Sequence, residues 1–417
     1  MKKRIVSLVA ASVLTVGATV GLTACKKTDK GITVWAPSTQ QTLVRELVEE
    51  FRKQNPDVTT SIEVGICGEG EAYAFLSKDV TAGADVYGFA NDQLMNLKKA
   101  GALARLSDSV AEKVRAENVA GSFEAGKIVE GGEDHYYGYP YAADNGFFMY
   151  YDSSVVSAEQ ANKLEDILEA CKAQKKYFLF NMSKSGSSWY LGSFFYGAGG
   201  DYTIKWTGTT MESAKCDFDQ KPEGCDYTYG QIGGRALIDL RAHESFVNAD
   251  DTVIQSYAAS KKIGAVITGT WNAQVLQDSF GEGYAATKMP TYHSELTGKD
   301  HQLVPFVGYK LFGVNPSSKH LSEAHRLAAF LSGEQAQTER FKLGIGPSNI
   351  KVSQTDAVKS NVALAAFNSQ LSFAKTQDSL PSNYWSSLDS FGADVFAKLK
   401  YEGLDAKLKS LISGMNG

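Results

Sequence analysis

Residues 32–64, ITVWAPSTQQTLVRELVEEFRKQNPDVTTSIEV, decide the fold class of this chain. The branched and aromatic residues of Ile32–Trp35 predict a β-strand. Apolar residues then recur at intervals of three and four from Leu43 onward, and they predict a helix that Asn55-Pro56 ends. Residues Val58–Val64 predict a second strand. A strand, a helix and another strand in this order predict a parallel α/β layer.

Later segments repeat the alternation of strands and helices, and the chain is long enough for two domains of ordinary size. The polar stretch 201–230 is interpreted as a surface excursion of the second domain. Residues 136–151 are dense in aromatic side chains, which indicates either a buried strand pair or a crossing between two domains beside a pocket. Strands are predicted at residues 85–87, 177–180, 263–267 and 303–314, and helices at 164–173, at 321–331 and over most of the chain after about 355.

The N-terminus has the layout of a secretory signal. Three basic residues precede the apolar run Ile5–Val20, and small residues follow it. Leu22-Thr23-Ala24-Cys25 resembles the bacterial lipobox, in which cleavage before the cysteine leaves Cys25 to carry the lipid. The alternative is an ordinary signal peptide with an incidental cysteine. We expect residues 1–24 to be a signal peptide and residues 25–30 to be a lipidated N-terminus and linker. This predicts lipid anchoring on the extracellular face of the cell membrane.

The composition excludes some function classes. The 417 residues are 43% hydrophobic and 21% charged, with a net charge of -5. The net charge becomes -8 once the three positive charges of the signal are removed. An acidic chain without a basic stripe is a poor candidate for binding nucleic acid. Anionic lipid is not expected to attract it either, so the tether would be the only membrane contact.

Motifs that would indicate catalysis or metal binding are missing from the sequence. There is no phosphate loop, no G-x-S-x-G elbow and no complete H-E-x-x-H, and we therefore expect no cofactor and no metal. The four later cysteines form no C-x-x-C pair. Cys216 and Cys225 lie close enough in sequence either to form a disulfide outside the cell or to remain two free thiols.

Short pieces of the chain resemble the extracellular solute-binding proteins of ABC importers, in the maltose/maltodextrin-binding branch. Each piece alone is weak, but their shared order over most of the mature chain is specific. The matching pieces are Ala90-Asn91-Asp92, Tyr139-Pro140 with Asp144, Tyr150-Tyr151-Asp152, Asn248-Ala249-Asp250, Thr268-Gly269-Thr270-Trp271 and Pro305-Phe306-Val307-Gly308.

The resemblance implies an α/β fold of two lobes, a periplasmic-binding-protein (Venus-flytrap) fold with a hinge of two to three crossings. Lobe 1 would comprise residues 31–143 plus 303–346, and lobe 2 would comprise residues 144–302 plus 347–417. A sugar would bind in the cleft between the lobes, and closure would favour the ligand-bound form. The implied partners are an oligosaccharide and the membrane permease subunits of an ABC importer, and we expect a monomer.

The resemblance also implies roles for individual residues, because aromatic rings cover the C–H faces of sugars while carboxylates bind hydroxyls. Each role has an alternative: Phe89 could be core, Asp92 a helix N-cap, and Asp144 a cap or a pairing group across the hinge. In the first loop the family often has Asp-Lys, where this chain has Ser38 and Thr39. The implied stacking residues are Trp271, Trp189, Phe89 and either Tyr384 or Trp385, and the implied hydroxyl-binding carboxylates are Asp92 and Asp144.

The function expected from this resemblance is binding of maltose or maltodextrin (α-1,4-glucan oligosaccharides) without catalysis. The same fold could instead serve another oligosaccharide. A surface glycoside hydrolase is a further alternative and would need two carboxylates flanking the scissile bond. A purely structural lipoprotein would bind no sugar.

Overall fold

A computed structural model describes residues 31–416. The predicted signal peptide, Cys25 and the whole predicted linker lie outside the described residues. The opening prediction is confirmed, because β1 (Ile32–Ala36), α1 (Gln41–Gln54) and β2 (Ile62–Ile66) follow one another and the two strands pair in parallel. The second strand begins at Ile62 and not at Val58, because the preceding residues form the turn out of the helix.

The apolar stripe of α1 explains why this segment is helical. Val44, Leu47, Val48 and Phe51 are buried, and their spacing of three and four residues places them on one face of the helix. They pack into a core with Ile32 and other residues of the first sheet. The Asn55 side chain donates to the Phe51 carbonyl where the helix ends.

Besides β1, α1 and β2, the first lobe contains α2 (Ala72–Leu76), β3 (Val86–Ala90), α3 (Leu94–Lys99), α4 (Asp108–Glu117), α5 (Ala120–Glu124), β4 (Lys127–Glu130), β5 (Glu133–Tyr136), β6 (Tyr139–Gly146), β16 (Phe306–Val314), α11 (Leu321–Leu331), α12 (Glu334–Phe341) and β17 (Lys375–Thr376). Its sheet has the strand order β17-β16-β3-β1-β2, and β6 also pairs with β16. Helices cover the sheet, and two core clusters form on its two faces.

The second lobe contains β7 (Phe148–Asp152), α6 (Leu164–Ala173), β8 (Tyr177–Phe180), α7 (Ser187–Gly197), β9 (Tyr202–Thr207), β10 (Thr210–Cys216), α8 (Tyr229–Ala242), β11 (Phe246–Asn248), α9 (Asp251–Ala259), β12 (Ile263–Thr268), α10 (Ala273–Phe280), β13 (Tyr284–Thr287), β14 (Thr291–Ser294), β15 (Lys299–Gln302), α13 (Ile350–Ser353), α14 (Asp356–Lys359), α15 (Val362–Ser369), α16 (Ser382–Phe396) and α17 (Tyr401–Asn416). Its five-stranded sheet has the order β11-β8-β12-β7-β13.

Three strands lie side by side where the chain crosses between the lobes. In the first sheet β6 is antiparallel to β16, and β17 pairs with β16 in parallel. After β6, the chain continues directly into β7 of the second sheet. The aromatic stretch 136–151 is therefore both a set of buried strands and a crossing between lobes. β17 pairs with the first sheet although residues 347–417 were expected in lobe 2. The other expected limits of each lobe stay a prediction.

The polar stretch 201–230 contains structure that its composition did not predict. β9 and β10 form an antiparallel hairpin there, and the remaining residues lead into α8. Within residues 31–416 no helix has the length and apolar character that crossing a bilayer requires.

Candidate functional site

Trp271 lies at the end of the central strand of the second sheet. All of β12 is buried, and the chain leaves it through Gly269 into a short 3-10 helix, Thr270–Asn272. The Trp271 ring lies against Gly269, where an added Cβ would come within 1.9 Å of a ring carbon. Its Nε1 donates to Asp251 Oδ1 at 3.1 Å, and 44% of the residue remains exposed. The indole is thus held in place with much of its surface available to a ligand.

Trp189 is the second aromatic ring at this position. It lies in the first turn of α7, and its ring centroid is 5.8 Å from that of Trp271 with an angle of 36° between the rings. The Trp189 Nε1 donates to Gln377 Oε1 at 2.7 Å. Two half-exposed indoles side by side offer the apolar, flat surface that the C–H face of a sugar ring requires.

Asp92 lies across from these rings, in the 3-10 helix Asn91–Gln93 that follows β3. It is half-buried, and Gln377 donates a hydrogen bond to its carboxylate. Burial raises the pKa of Asp92 to about 6, while hydrogen bonds from its own backbone amide and from Gln377 act in the lowering direction. It caps neither its own 3-10 helix nor α3, so the alternative role as an N-cap is wrong.

Gln377 joins the two sides of the site and was not predicted from the sequence. It follows β17, its side chain contacts both Trp189 and Asp92, and its carbonyl accepts a hydrogen bond from Asn91 Nδ2 at 2.6 Å. One residue of the third crossing thus connects the carboxylate of one lobe to the indole of the other.

Asp144 lies in β6, at the base of the same region. Its side chain is 1% exposed, and its Oδ2 accepts hydrogen bonds from the Gly346 amide at 2.8 Å and from Thr270 Oγ1 at 3.1 Å. The bond to Thr270 reaches the 3-10 helix that carries Trp271. The other oxygen, Oδ1, is buried and has no hydrogen-bond partner among residues 31–416. A buried carboxylate oxygen without a donor is a ready acceptor for a ligand hydroxyl.

A buried polar network, which no sequence pattern predicted, lies in lobe 1 beside Asp144. Glu69 Oε1 accepts hydrogen bonds from Tyr141 Oη at 2.6 Å and from Gln40 Nε2 at 3.2 Å. Arg340 is fully buried, its Nε donates to Gln40 Oε1 at 3.1 Å, and its guanidinium lies 4.8 Å from the centre of the Tyr141 ring. Burial lowers the pKa of Arg340 to about 10. The network orients the Glu69 carboxylate at the carboxyl ends of the parallel strands, where ligands bind in open α/β sheets.

The stacking role predicted for two residues is wrong because their rings lie in the core. Phe89 is 0% exposed and packs among Tyr87, Leu311 and the other residues of one core cluster of the first lobe. Tyr384 is also 0% exposed, and its hydroxyl lies 2.6 Å from that of Tyr196. A ring without exposed surface cannot lie against a sugar.

The structure does not contradict the ligand roles predicted for three other residues. Trp385 is half-buried in the first turn of α16, 6.1 Å from the Phe306 ring. Ser38 and Thr39 are exposed in a 3-10 helix directly after β1, and the next residue, Gln40, is the one that joins the buried network. The ligand roles of Trp385, Ser38 and Thr39 stay predictions.

The possible disulfide is not formed. Cys216 is a free, buried thiol at the end of β10, and Cys225 is a free, half-buried thiol in the following turn. Burial raises the pKa of Cys216 to about 12, so its thiol is protonated at neutral pH. In the part of the chain that the structure describes, no three His, Cys, Asp or Glu side chains group together as metal ligands would.

Comparison with known proteins gives the family. A family model described as bacterial extracellular solute-binding protein matches residues 46–366, which is most of the chain. The chain belongs to this family. A comparison with curated proteins finds no match. This solute-binding protein is 29% identical to a protein solved in complex with acarbose; the match covers 92% of this chain and 98% of that one, with a TM-score of 0.77.

More distant structures share the fold. The maltodextrin binding protein MalE1 from L. casei BL23 is 19% identical over 93% of this chain and 98% of that one, with a TM-score of 0.75. The maltose-maltodextrin binding protein of Alicyclobacillus acidocaldarius is also 19% identical, over 91% and 99%, with a TM-score of 0.70. The predicted two-lobed α/β fold of this solute-binding protein is therefore confirmed.

Proposed function

We propose that this solute-binding protein captures maltose or maltodextrin, α-1,4-glucan oligosaccharides, in the cleft between its lobes and releases them to the permease of an ABC importer. Lipid anchoring through Cys25 would keep it at the extracellular face of the membrane. The proposal rests on one observation above all: the indoles of Trp189 and Trp271 lie 5.8 Å apart beside Asp92 and Asp144. An apolar platform with carboxylates at its edge matches a sugar ring, which has C–H faces and a hydroxyl rim.

The position of these groups also fits a closure mechanism. Trp189 and Trp271 belong to lobe 2, whereas Asp92 and Glu69 belong to lobe 1. A sugar that contacts both sets stabilises the closed form, since its hydrogen bonds and stacking contacts are complete only when the lobes approach. The similar structures are of a complex with acarbose and of maltodextrin-binding proteins, which supports an oligosaccharide as the ligand.

The test is calorimetric titration of the purified protein with maltose, maltotriose and longer maltodextrins, with β-linked and non-glucose oligosaccharides as controls. We expect saturable binding of the α-1,4 glucans only, with the sugar recovered unchanged after incubation. Binding of a different sugar would replace the ligand but keep the site. Hydrolysis of the sugar, or no heat from any oligosaccharide, would contradict the proposal.

A further inference from the structure

Lys310 lies at the candidate site with no direct partner. It is half-buried in β16, and the residues directly opposite it on the two neighbouring strands are Ala90 and Ala142. Both neighbours are small, so they leave space around the lysine side chain. Successive residues of a strand point to opposite faces, which places Lys310 on the same face as Phe312. The Phe312 ring lies 5.2 Å from the Arg340 guanidinium of the buried network.

Two carboxylates act on the Lys310 ammonium without contacting it. Burial lowers the pKa of Lys310, but the negative charges of Asp144 and Glu69 outweigh this effect and leave the pKa raised. Within residues 31–416, Lys310 forms no hydrogen bond and no ion pair. The free Asp144 Oδ1 is likewise buried without a donor. The strand register also brings these groups near one another: the amide of Ala90, opposite Lys310, donates to the Glu69 carbonyl at 3.1 Å, and Asp144 lies two residues after Ala142 in β6. A charged donor and two acceptors are therefore neighbours that are not bonded to one another.

Hydroxyl groups are suited to bridge an ammonium and a carboxylate that are not bonded to each other. An ammonium only donates hydrogen bonds and an ionised carboxylate only accepts them, whereas a hydroxyl does both. A hydroxyl between Lys310 and Asp144 would accept from the first and donate to the second. Hydrogen bonds to charged groups are the stronger ones, and a water-poor cleft strengthens them further.

We propose that Lys310 donates hydrogen bonds to hydroxyls of the sugar bound in the cleft, together with Asp144 and Glu69 as acceptors. This inference rests on the proposed function and adds a charged group that the resemblance did not assign. The first loop has Ser38 and Thr39 where an acid and a lysine were expected. In this chain Lys310, in β16, and Glu69, in the loop after β2, supply that pair of charges.

The charges of this group also indicate the ligand class. Lys310 and Arg340 carry two positive charges, whereas Asp92, Asp144 and Glu69 carry three negative ones at neutral pH, so the group has an excess of negative charge before a ligand binds. An anionic solute would add to this excess without a counter-charge. This favours neutral oligosaccharides over uronic acids.

The test combines variants of Lys310 with maltotriose analogues that each lack one hydroxyl. We expect Lys310→Met to weaken maltotriose binding about tenfold, the size expected for one hydrogen bond to a charged group. At least one deoxy analogue should bind the wild type about tenfold more weakly than maltotriose does. The same analogue and maltotriose should bind Lys310→Met with equal affinity, because the two changes remove the same hydrogen bond. Lys409→Met, on the exposed surface of α17, is the control for loss of one positive charge and should bind like the wild type.

Two results would overturn the inference while leaving the proposed function intact. One is wild-type affinity for maltotriose in a folded Lys310→Met variant. The other is a panel in which the affinity of every deoxy analogue, relative to maltotriose, falls by the same factor in the variant as in the wild type. That result would mean that Lys310 acts on binding only through the structure. If Lys310→Met does not fold, Lys310→Gln with the same analogues replaces it. Failure of the wild type to bind maltotriose would instead overturn the proposed function itself.

Discussion

The two sides of the cleft are built in different ways. On the lobe 2 side, Trp189 and Trp271 each follow a local signal in the sequence, namely the start of a helix and the end of a buried strand. On the lobe 1 side, Gln40, Glu69 and Arg340 form one network although 300 residues separate Gln40 from Arg340. The aromatic side has exposed apolar surface, and the polar side has buried and oriented charge.

This difference assigns a distinct task to each lobe. Stacking on an indole depends on surface area and tolerates several ring orientations, whereas hydrogen bonds to a carboxylate depend on distance and direction. We therefore expect lobe 2 to supply most of the affinity for any flat sugar ring, and lobe 1 to select among hydroxyl patterns.

Phe89 gives the strongest test of this difference between the two sides. The structure places its ring in the core, whereas the resemblance implied that the ring stacks on the sugar. Phe89→Ala should lower the free energy of unfolding by about 3–4 kcal/mol, because it leaves a cavity around a fully buried position. Chemical denaturation measures this loss. Phe89→Leu keeps most of the volume and should bind maltotriose within about twofold of the wild type. A Phe89→Leu variant of normal stability with a tenfold weaker affinity for maltotriose would show that the Phe89 ring contacts the sugar.

Trp271→Ala tests the aromatic side directly. It should weaken maltotriose binding about 30-fold, which corresponds to about 2 kcal/mol of lost apolar contact. Stability should change little because 44% of Trp271 is exposed. Phe396→Ala is the matched control, since Phe396 is 42% exposed but lies at the far end of α16. Calorimetry showing equal affinities for both variants would contradict the role of Trp271.

Gly269→Ala tests the position of the same ring while leaving the indole present. Its Cβ would come within 1.9 Å of the Trp271 ring, so the ring must move. The backbone angle of Gly269, φ -104, is open to alanine, so the effect comes from the ring alone. We expect affinity about tenfold weaker, with Gly403→Ala on α17 as the control. Unchanged maltotriose affinity would mean that ring placement does not matter.

The smallest expected effect is the pH dependence contributed by Asp92. Its pKa is raised to about 6, so the folded protein holds a proton that the unfolded chain releases, and its contribution to stability falls as the pH rises from about 4 to 6. Sugar hydroxyls form stronger hydrogen bonds with the ionised carboxylate than with the protonated carboxyl group, so maltotriose affinity should fall by up to about fourfold from pH 7 to pH 5.5. Asp92→Asn should flatten this profile. The same profile in wild type and variant would exclude Asp92 as its source.

Local sequence patterns predicted most of the fold. The resemblance to the solute-binding family pointed to Trp189 and Trp271, which the structure brings together, and their ligand roles stay predictions. Helix α6 has the predicted limits of residues 164–173, and Trp271 lies directly after the predicted strand at 263–267. The hairpin β9–β10 was missed because its strands are mostly exposed and polar, so they lack the apolar alternation that marks a strand.

The polar half of the site was missed for a different physical reason. A buried Arg340 in a helix and a Glu69 in a loop look like ordinary surface charges in the sequence, and only the tertiary fold shows that they share a network. Phe89 was misplaced because a residue at the end of a strand can face either the core or the cleft, and composition does not distinguish the two. The signal that Gly-Glu-Gly at 68–70 follows a strand end was available, since ligands gather at such ends.

A crystal structure of the protein with maltotriose tests the central claim most directly. We predict a glucose ring lying against Trp271 and Trp189, a hydroxyl hydrogen-bonded to Asp144 Oδ1, and a second hydroxyl near Lys310 and Glu69. A sugar bound elsewhere, or one in the cleft that leaves both indoles uncovered, would contradict it.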